Sequence, residues 1–152
     1  MIIEVTENNV RDAAEIYAPS WRDAHKDCCK KEFIEKHTVE YVTTFLLNQI
    51  KQDKDMYMLI DEIPVGIVSI KDNMIENLYV HPNSQYKGYG TKLLLFALSK
   101  CDSEAVLWVR DNNIKACNLY EKYGFKRTGD FHVLSKEKNI SEVEMKKCFN
   151  EF

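Results

Sequence analysis

The residues with the clearest chemical meaning form one short run, Gln85-Tyr86-Lys87-Gly88-Tyr89-Gly90, with Thr91 directly behind it. Its two glycines stand one residue apart between a strand-like run and an amphipathic helical stretch. Lacking Cβ atoms, they let backbone N–H groups converge where a side chain would block a ligand. A helix starting near Gly90 adds its positive dipole end, Lys87 a charge and Thr91 a hydroxyl, so the expected ligand is a phosphate or diphosphate. A plain strand-to-helix turn would share the spacing. A dinucleotide-binding G-x-G-x-x-G fails because Leu93 occupies the third glycine position, and a Walker loop fails because the order here is Gly-Thr-Lys.

The elements that must hold this loop follow from periodicity. Ile2 to Val5 reads as a first strand. Asn8 caps a helix with Val10, Ala13, Ala14 and Tyr17 on one face, and Pro19 ends it. After a loose stretch from Ser20 to His37, Thr38 opens a helix turning Val42, Phe45, Leu46 and Ile50 inward. Met56 to Ile60 and Val65 to Ile70 form a hairpin about Asp61-Glu62-Ile63-Pro64, and Met74 to Val80 is a third run. Behind the glycines, Thr91, Leu94, Leu95 and Leu98 mark a helix. Ala105 to Val109 is a buried strand. Asn113 then caps a helix with Ala116, Leu119, Tyr120 and Tyr123 inward and Gly124 at its C-terminal end. Phe125 to Phe131 and Val143 to Cys148 close the sheet around a charged loop, Leu134 to Ser141. The reading is a single α/β domain over residues 1–152.

Bulk properties narrow the partners. A formal net charge of -3, from 21 basic and 24 acidic side chains, provides no global attraction to nucleic acid or anionic membrane, so an anion must be held locally. No apolar run approaches the roughly 20 residues of a membrane span, and the start, Met1-Ile2-Ile3-Glu4-Val5, is short and acidic for a secretion signal, which leads us to expect a cytoplasmic protein. Cys28, Cys29, Cys101, Cys117 and Cys148 lack metal-ligand spacing and are expected to be reduced thiols.

Gln85 to Gly90 resembles the Q/R-x-x-G-x-G/A signature of the GNAT superfamily of N-acetyltransferases. Two further segments agree in order and spacing. Ile75-Glu76-Asn77-Leu78-Tyr79-Val80-His81-Pro82 is similar to the family's fourth strand, and Asn113-x-x-Ala116-x-x-x-Tyr120-x-x-x-Gly124-Phe125 to its second cofactor motif. The likeness is firm from Ile63 to Thr128 and elsewhere rests on the order of elements. It implies a mixed, mostly antiparallel sheet of about seven strands flanked by about four helices, and acetyl-CoA as cosubstrate without a metal. It also implies pairing of the pantetheine arm with the strand at Leu78, Tyr79 and Val80, and amides from Tyr86 to Thr91 holding the pyrophosphate between splayed fourth and fifth strands, a gap that a strand bulge helps to open.

Acetyl transfer to an amine needs a base for the amine's proton and an acid for the departing thiolate. The resemblance places Tyr120 near the cofactor sulfur as general acid, although its helical stripe would equally suit a core residue, and Asn113 near the pantetheine while it caps its helix. Glu76 is the candidate base. Strict alternation puts it on the face of Leu78 and Val80, and a structural or substrate-binding role fits equally well. His25 and His132 are alternatives, and His81 shapes a turn beside Pro82. The amine is expected between the first helices and the last hairpin, where Tyr17 and Trp21 would flank it or join the core. The acidic residues from Glu32 to Glu40 alternate with lysines as a solvated surface. A small amine, an amino acid, an antibiotic or a protein amine all fit. If Trp21 or Phe33 filled the acceptor space, the chain would be a noncatalytic acyl-CoA-binding module. Phe149 and Phe152 would support a homodimer, with a monomer as the alternative.

Overall fold

The computed structural model describes residues 1–149; Phe152, named above for a dimer contact, lies outside the described residues. One seven-stranded sheet runs in the order β1-β2-β3-β4-β5-β7-β6. Its strands are β1 (Ile2–Glu4), β2 (Asp55–Asp61), β3 (Ile63–Lys71), β4 (Met74–Val80), β5 (Glu104–Arg110), β6 (Lys126–Ser135) and β7 (Ile140–Cys148). The helices are α1 (Val10–His25), α2 (Lys31–Glu35), α3 (Val39–Lys51), α4 (Tyr89–Ser99) and α5 (Ile114–Lys122), with a 3₁₀ turn at Pro82–Ser84. All strand pairs are antiparallel except β4 with β5. The sheet and its class therefore match what the resemblance implied, with α2 added in the stretch left irregular.

Each face of the sheet has its own core. Val10, Ala13, Ala14, Ile16 and Tyr17 of α1 pack with Val42 and Leu46 of α3 on Met56, Met58 and Ile67. On the opposite face Leu93, Leu94 and Ala97 of α4 and Cys117 of α5 cover Val68, Ile70, Ile75, Ala105, Leu107 and Met145. The period-2 burial of Ala105, Leu107 and Val109 leaves Val106, Trp108 and Arg110 on the α1 side.

Three local expectations need correction. The cap position of α1 is Asn9 rather than Asn8, and its side chain ties the preceding turn by accepting from the Thr6 amide and donating to the Glu4 carbonyl. Pro19 does not end α1, which runs on to His25. A proline inside a helix costs about 3 kcal/mol, and here burial of Ile16, Tyr17, Ala18 and Ser20 around it offsets that cost. The Ser20 hydroxyl also donates to the Ile16 carbonyl at 2.6 Å. Finally, β6 and β7 extend to Ser135 and Ile140, so the charged loop shrinks to residues 136–139.

The fourth difference matters most. Ser69 pairs with Glu76, but Ile67 pairs with Tyr79, so β4 carries an extra residue between these positions. The bulge falls at Asn77, whose φ of 53° lies in the left-handed region. It breaks the alternation. Glu76, opposite Ser69, lies on the α1/α3 face, where Asn77 donates to the Ser69 hydroxyl and the Gln49 side chain. Leu78 and Val80 pack on the other core. Glu76 therefore does not share the face of Leu78 and Val80, because a one-residue insertion reverses every side chain before it relative to those after.

β4 and β5 touch at a single register position, Met74 with Val106, reinforced by the Val106 amide donating to the Asn73 carbonyl at 2.9 Å. Beyond it the strands part. Gly66 lets α4 sit close to β3 at this point, since a Cβ there would lie 2.6 Å from Leu93 Cδ1 and 3.1 Å from the Tyr79 carbonyl oxygen. Gly66→Ala is expected to destabilise the fold by about 1–3 kcal/mol through overpacking; a urea unfolding midpoint equal to that of the parent protein would show that α4 has room to withdraw.

Candidate active site

On the α4/α5 side of the parted strands lies a cleft of about 610 Å³. Leu78 and Val80 form its floor, Ser84, Gln85, Tyr86, Gly88 and the first turn of α4 its upper end, and Asn113, Ala116, Leu119 and Tyr120 the opposite wall. Gly88 caps α4 with φ 83°, a conformation favouring glycine, and its missing Cβ faces open space with no atom within 4 Å. The first helical bond runs from the Lys92 amide to the Gly88 carbonyl. The amides of Tyr89, Gly90 and Thr91 thus precede any intrahelical acceptor, and those of Tyr86, Lys87 and Gly88 have no hydrogen-bond partner among the described residues. Six consecutive donors are left for a ligand at the positive end of a helix.

The loop is anchored from outside. The Gln85 side chain donates to the Val80 carbonyl at 3.4 Å, and the Tyr89 hydroxyl to Asp61 at 2.5 Å, a bond that raises the Tyr89 pKa. Lys87 does not line the cleft, whereas Lys115 and Lys122 of α5 do. Lys115 Nζ stands 3.5 Å from the centroid of the exposed Tyr86 ring and spans the mouth. These lysines and Asn118 recur at helical spacing with Ala116 and Leu119, a signal that was readable in the sequence.

Asn113 caps α5 by accepting from the Ala116 amide at 3.2 Å while lining the cleft, so its two roles coexist. Tyr120 faces the cleft with its ring 5.9 Å from that of Phe125, and burial pushes its pKa up to about 12. The phenol stays protonated at neutral pH.

A second cavity, of about 310 Å³, opens on the α1/α3 side of the same gap. Glu76, Asn77 and Tyr79 of β4 line it with Trp108, His132 and Glu142. Glu76 is ion-paired with the mostly buried Lys54. Tyr79, whose backbone was expected to pair with the cofactor's arm, turns its side chain here and meets the Tyr17 ring at 5.2 Å, edge to face. Burial raises the Tyr79 pKa first, with contributions from Tyr17, Glu142 and Tyr120. Trp108 and Glu142 escaped the sequence reading; alternation with buried Leu107 and Val109 pointed to the first, while the second fell between the loop ending at Ser141 and the strand beginning at Val143.

Tyr17 is 5% exposed and lines neither cavity, because Phe45 and Tyr79 enclose it. Trp21 likewise lines neither, its ring stacked between His25 at 4.2 Å and His37 at 3.5 Å. Phe33, half exposed, does not fill the second cavity either. His25, its Nδ1 hydrogen-bonded to the Trp21 carbonyl and its pKa lowered mainly by burial, belongs to that stack, whereas His132 stacks on Trp108 at the cavity wall. His81 shapes its turn by accepting from the Asn83 amide.

The family model described as Acetyltransferase (GNAT) family matches residues 10–125. Among solved structures, PaiA N-acetyltransferase from Thermoplasma acidophilum in complex with coenzyme A is similar, with 23% identity, TM-score 0.72 and 98% of each chain covered. YncA, a putative acetyltransferase from Salmonella typhimurium with its cofactor acetyl-CoA, has 18% identity and TM-score 0.76 over 100% of this chain and 95% of its own. A ribosomal-protein-alanine N-acetyltransferase from Brucella melitensis has 18% identity and TM-score 0.72 over 98% and 99%. These likenesses concern the fold. No curated protein sequence matches significantly.

Proposed function

Because the chain belongs to the acetyltransferase (GNAT) family, we propose that it transfers an acetyl group from acetyl-CoA to a primary amine by direct attack on the thioester. The observation that carries this reading is the set of unpaired amides from Tyr86 to Thr91 at the head of a cleft that ends beside Tyr120. A diphosphate satisfies such donors, and the open space at Gly88 admits it to the backbone. The free edge of β4 offers Leu78, Tyr79 and Val80 backbone groups to an extended, amide-containing arm, in the manner of an added strand.

Bound acetyl-CoA supplies the electrophilic acyl carbon, at which the C–S bond breaks as a C–N bond forms. Tyr120 donates its hydroxyl proton to the departing sulfur. The amine's proton leaves on the opposite face of the sheet, where Glu76 accepts it through water. Protons balance between the amine and the thiolate without a metal. The second cavity, open rather than filled by Trp21 or Phe33, supports an enzyme over a noncatalytic acyl-CoA-binding module. Of the broader expectations, a cytoplasmic location and a homodimer through the C-terminal strand stay part of the proposal; no described helix is long and apolar enough to cross a membrane.

Calorimetry with acetyl-CoA, CoA and ATP, followed by thiol release with an amine panel, tests the assignment: preferential ATP binding would overturn it. Gly88→Ala is expected to fold, at about 1 kcal/mol of left-handed strain, and to weaken acetyl-CoA binding at least tenfold by crowding the diphosphate. Unaltered affinity would remove the diphosphate from this loop. Tyr120→Phe is expected to lower kcat about 100-fold, within the usual range for an acid catalyst, with acetyl-CoA affinity unchanged. In the parent protein Tyr120 should cause no alkaline loss of rate before pH approaches about 12, because its proton is held that tightly; an unchanged rate in the variant would reject the acid role.

A further inference from the structure

The second cavity has one carboxylate too many for its own cations. Glu76 is matched by Lys54. Glu142 lies directly opposite Arg110 across the β5–β7 pair, yet the Arg110 guanidinium is turned away, bonded to Asp27 Oδ2 at 2.7 Å and to the Ala24 carbonyl. The half-buried Glu142 carboxylate forms no hydrogen bond or ion pair among the described residues. Asn77 is satisfied by Ser69 and Gln49, and His132, the cross-strand partner of Glu142 on β6, is stacked on Trp108.

A second group in the cavity also lacks a partner. The Tyr79 hydroxyl, on a partly buried side chain, has no hydrogen-bond partner within the described residues and shares the cavity with Glu142. A half-buried carboxylate with no cation of its own, beside a hydroxyl without a partner and an indole wall, is costly unless a ligand completes it. A ligand carrying one positive charge and hydrogen-bond donors does so. The attacking nitrogen itself must be neutral, so the charge belongs to another part of the acceptor.

Resting on the function proposed above, we infer that the acceptor is a small amine bearing a second cationic group, such as an aliphatic diamine, whose ammonium is held by Glu142 while its other, neutral amine passes Tyr79 toward the cleft of Tyr120. Trp108 offers the methylene chain an apolar surface. A cavity of about 310 Å³ suits a small molecule. Anionic amines meet an unpaired carboxylate and are disfavoured.

The test compares 1,4-diaminobutane, butylamine and 4-aminobutyrate on the full chain by steady-state acetylation, alongside calorimetric acetyl-CoA binding. The diamine is expected to exceed both others in kcat/KM by at least tenfold. Glu142→Gln should raise KM for the diamine at least tenfold with kcat within about twofold, leave butylamine kinetics and acetyl-CoA affinity unchanged, and Glu142→Asp should restore part of the loss. Equal use of the three amines, or a diamine KM indifferent to Glu142→Gln while acetyl-CoA still binds, would overturn the charge assignment alone. Failure of acetyl-CoA to bind the parent protein would instead overturn the functional reading beneath it.

Discussion

Everything in this molecule that resembles a site depends on two adjacent parallel strands that stop pairing. β4 and β5 meet at Met74 and Val106 and then separate, so a length of β4 edge is left in the centre of the sheet without a partner strand. Unpaired central backbone is unfavourable unless something hydrogen-bonds to it, and a strand edge of this kind is a template for an extended chain. The bulge at Asn77 acts at the same place. It directs Leu78 and Val80 toward α4 and α5, and Glu76 and Asn77 toward α3, making two differently furnished walls on either side of one gap.

The two walls have opposite electrostatic character despite a net charge close to neutrality. On the α4/α5 side are six unpaired amides, a helix N-terminus, Lys115 and Lys122. On the α1/α3 side are Glu76 and Glu142, with Lys54 and Arg110 already committed to carboxylates. An acidic whole-chain balance therefore gives no guide to the ligand. What matters is the field within a few ångströms of each wall, where solvent screening is reduced.

The glycine loop was legible because its constraint is local: Gly88 needs a positive φ and an open Cβ position, and both follow from neighbouring residues in the chain. The caps at Thr38 and Asn113 were legible for the same reason, each side chain accepting from an amide three residues on. Features that depend on distant packing were not. Pro19 reads as a stop, and only the burial of residues around it on the sheet keeps α1 going. Alternation assigned Glu76 to the wrong face because nothing in Ile75-Glu76-Asn77-Leu78 announces a bulge except Asn77, a residue that tolerates positive φ but seldom requires it. Glu142 was hidden because strand β7 begins three residues earlier than its apolar pattern does.

The state of the tyrosines gives the proposed chemistry a direction. Tyr120 and Tyr79 flank the gap, and burial raises the pKa of both, so each remains a neutral donor rather than a proton acceptor near neutral pH. Tyr120 lies on the cleft side, where a departing sulfur would need a proton. Glu76, the proposed proton acceptor, is confined to the other side. Reaction with the amine entering from the carboxylate wall therefore places donor and acceptor where each is needed. The reverse orientation would put the reluctant Tyr120 phenol beside the group that must lose a proton, and the carboxylate wall beside the thiolate that must gain one.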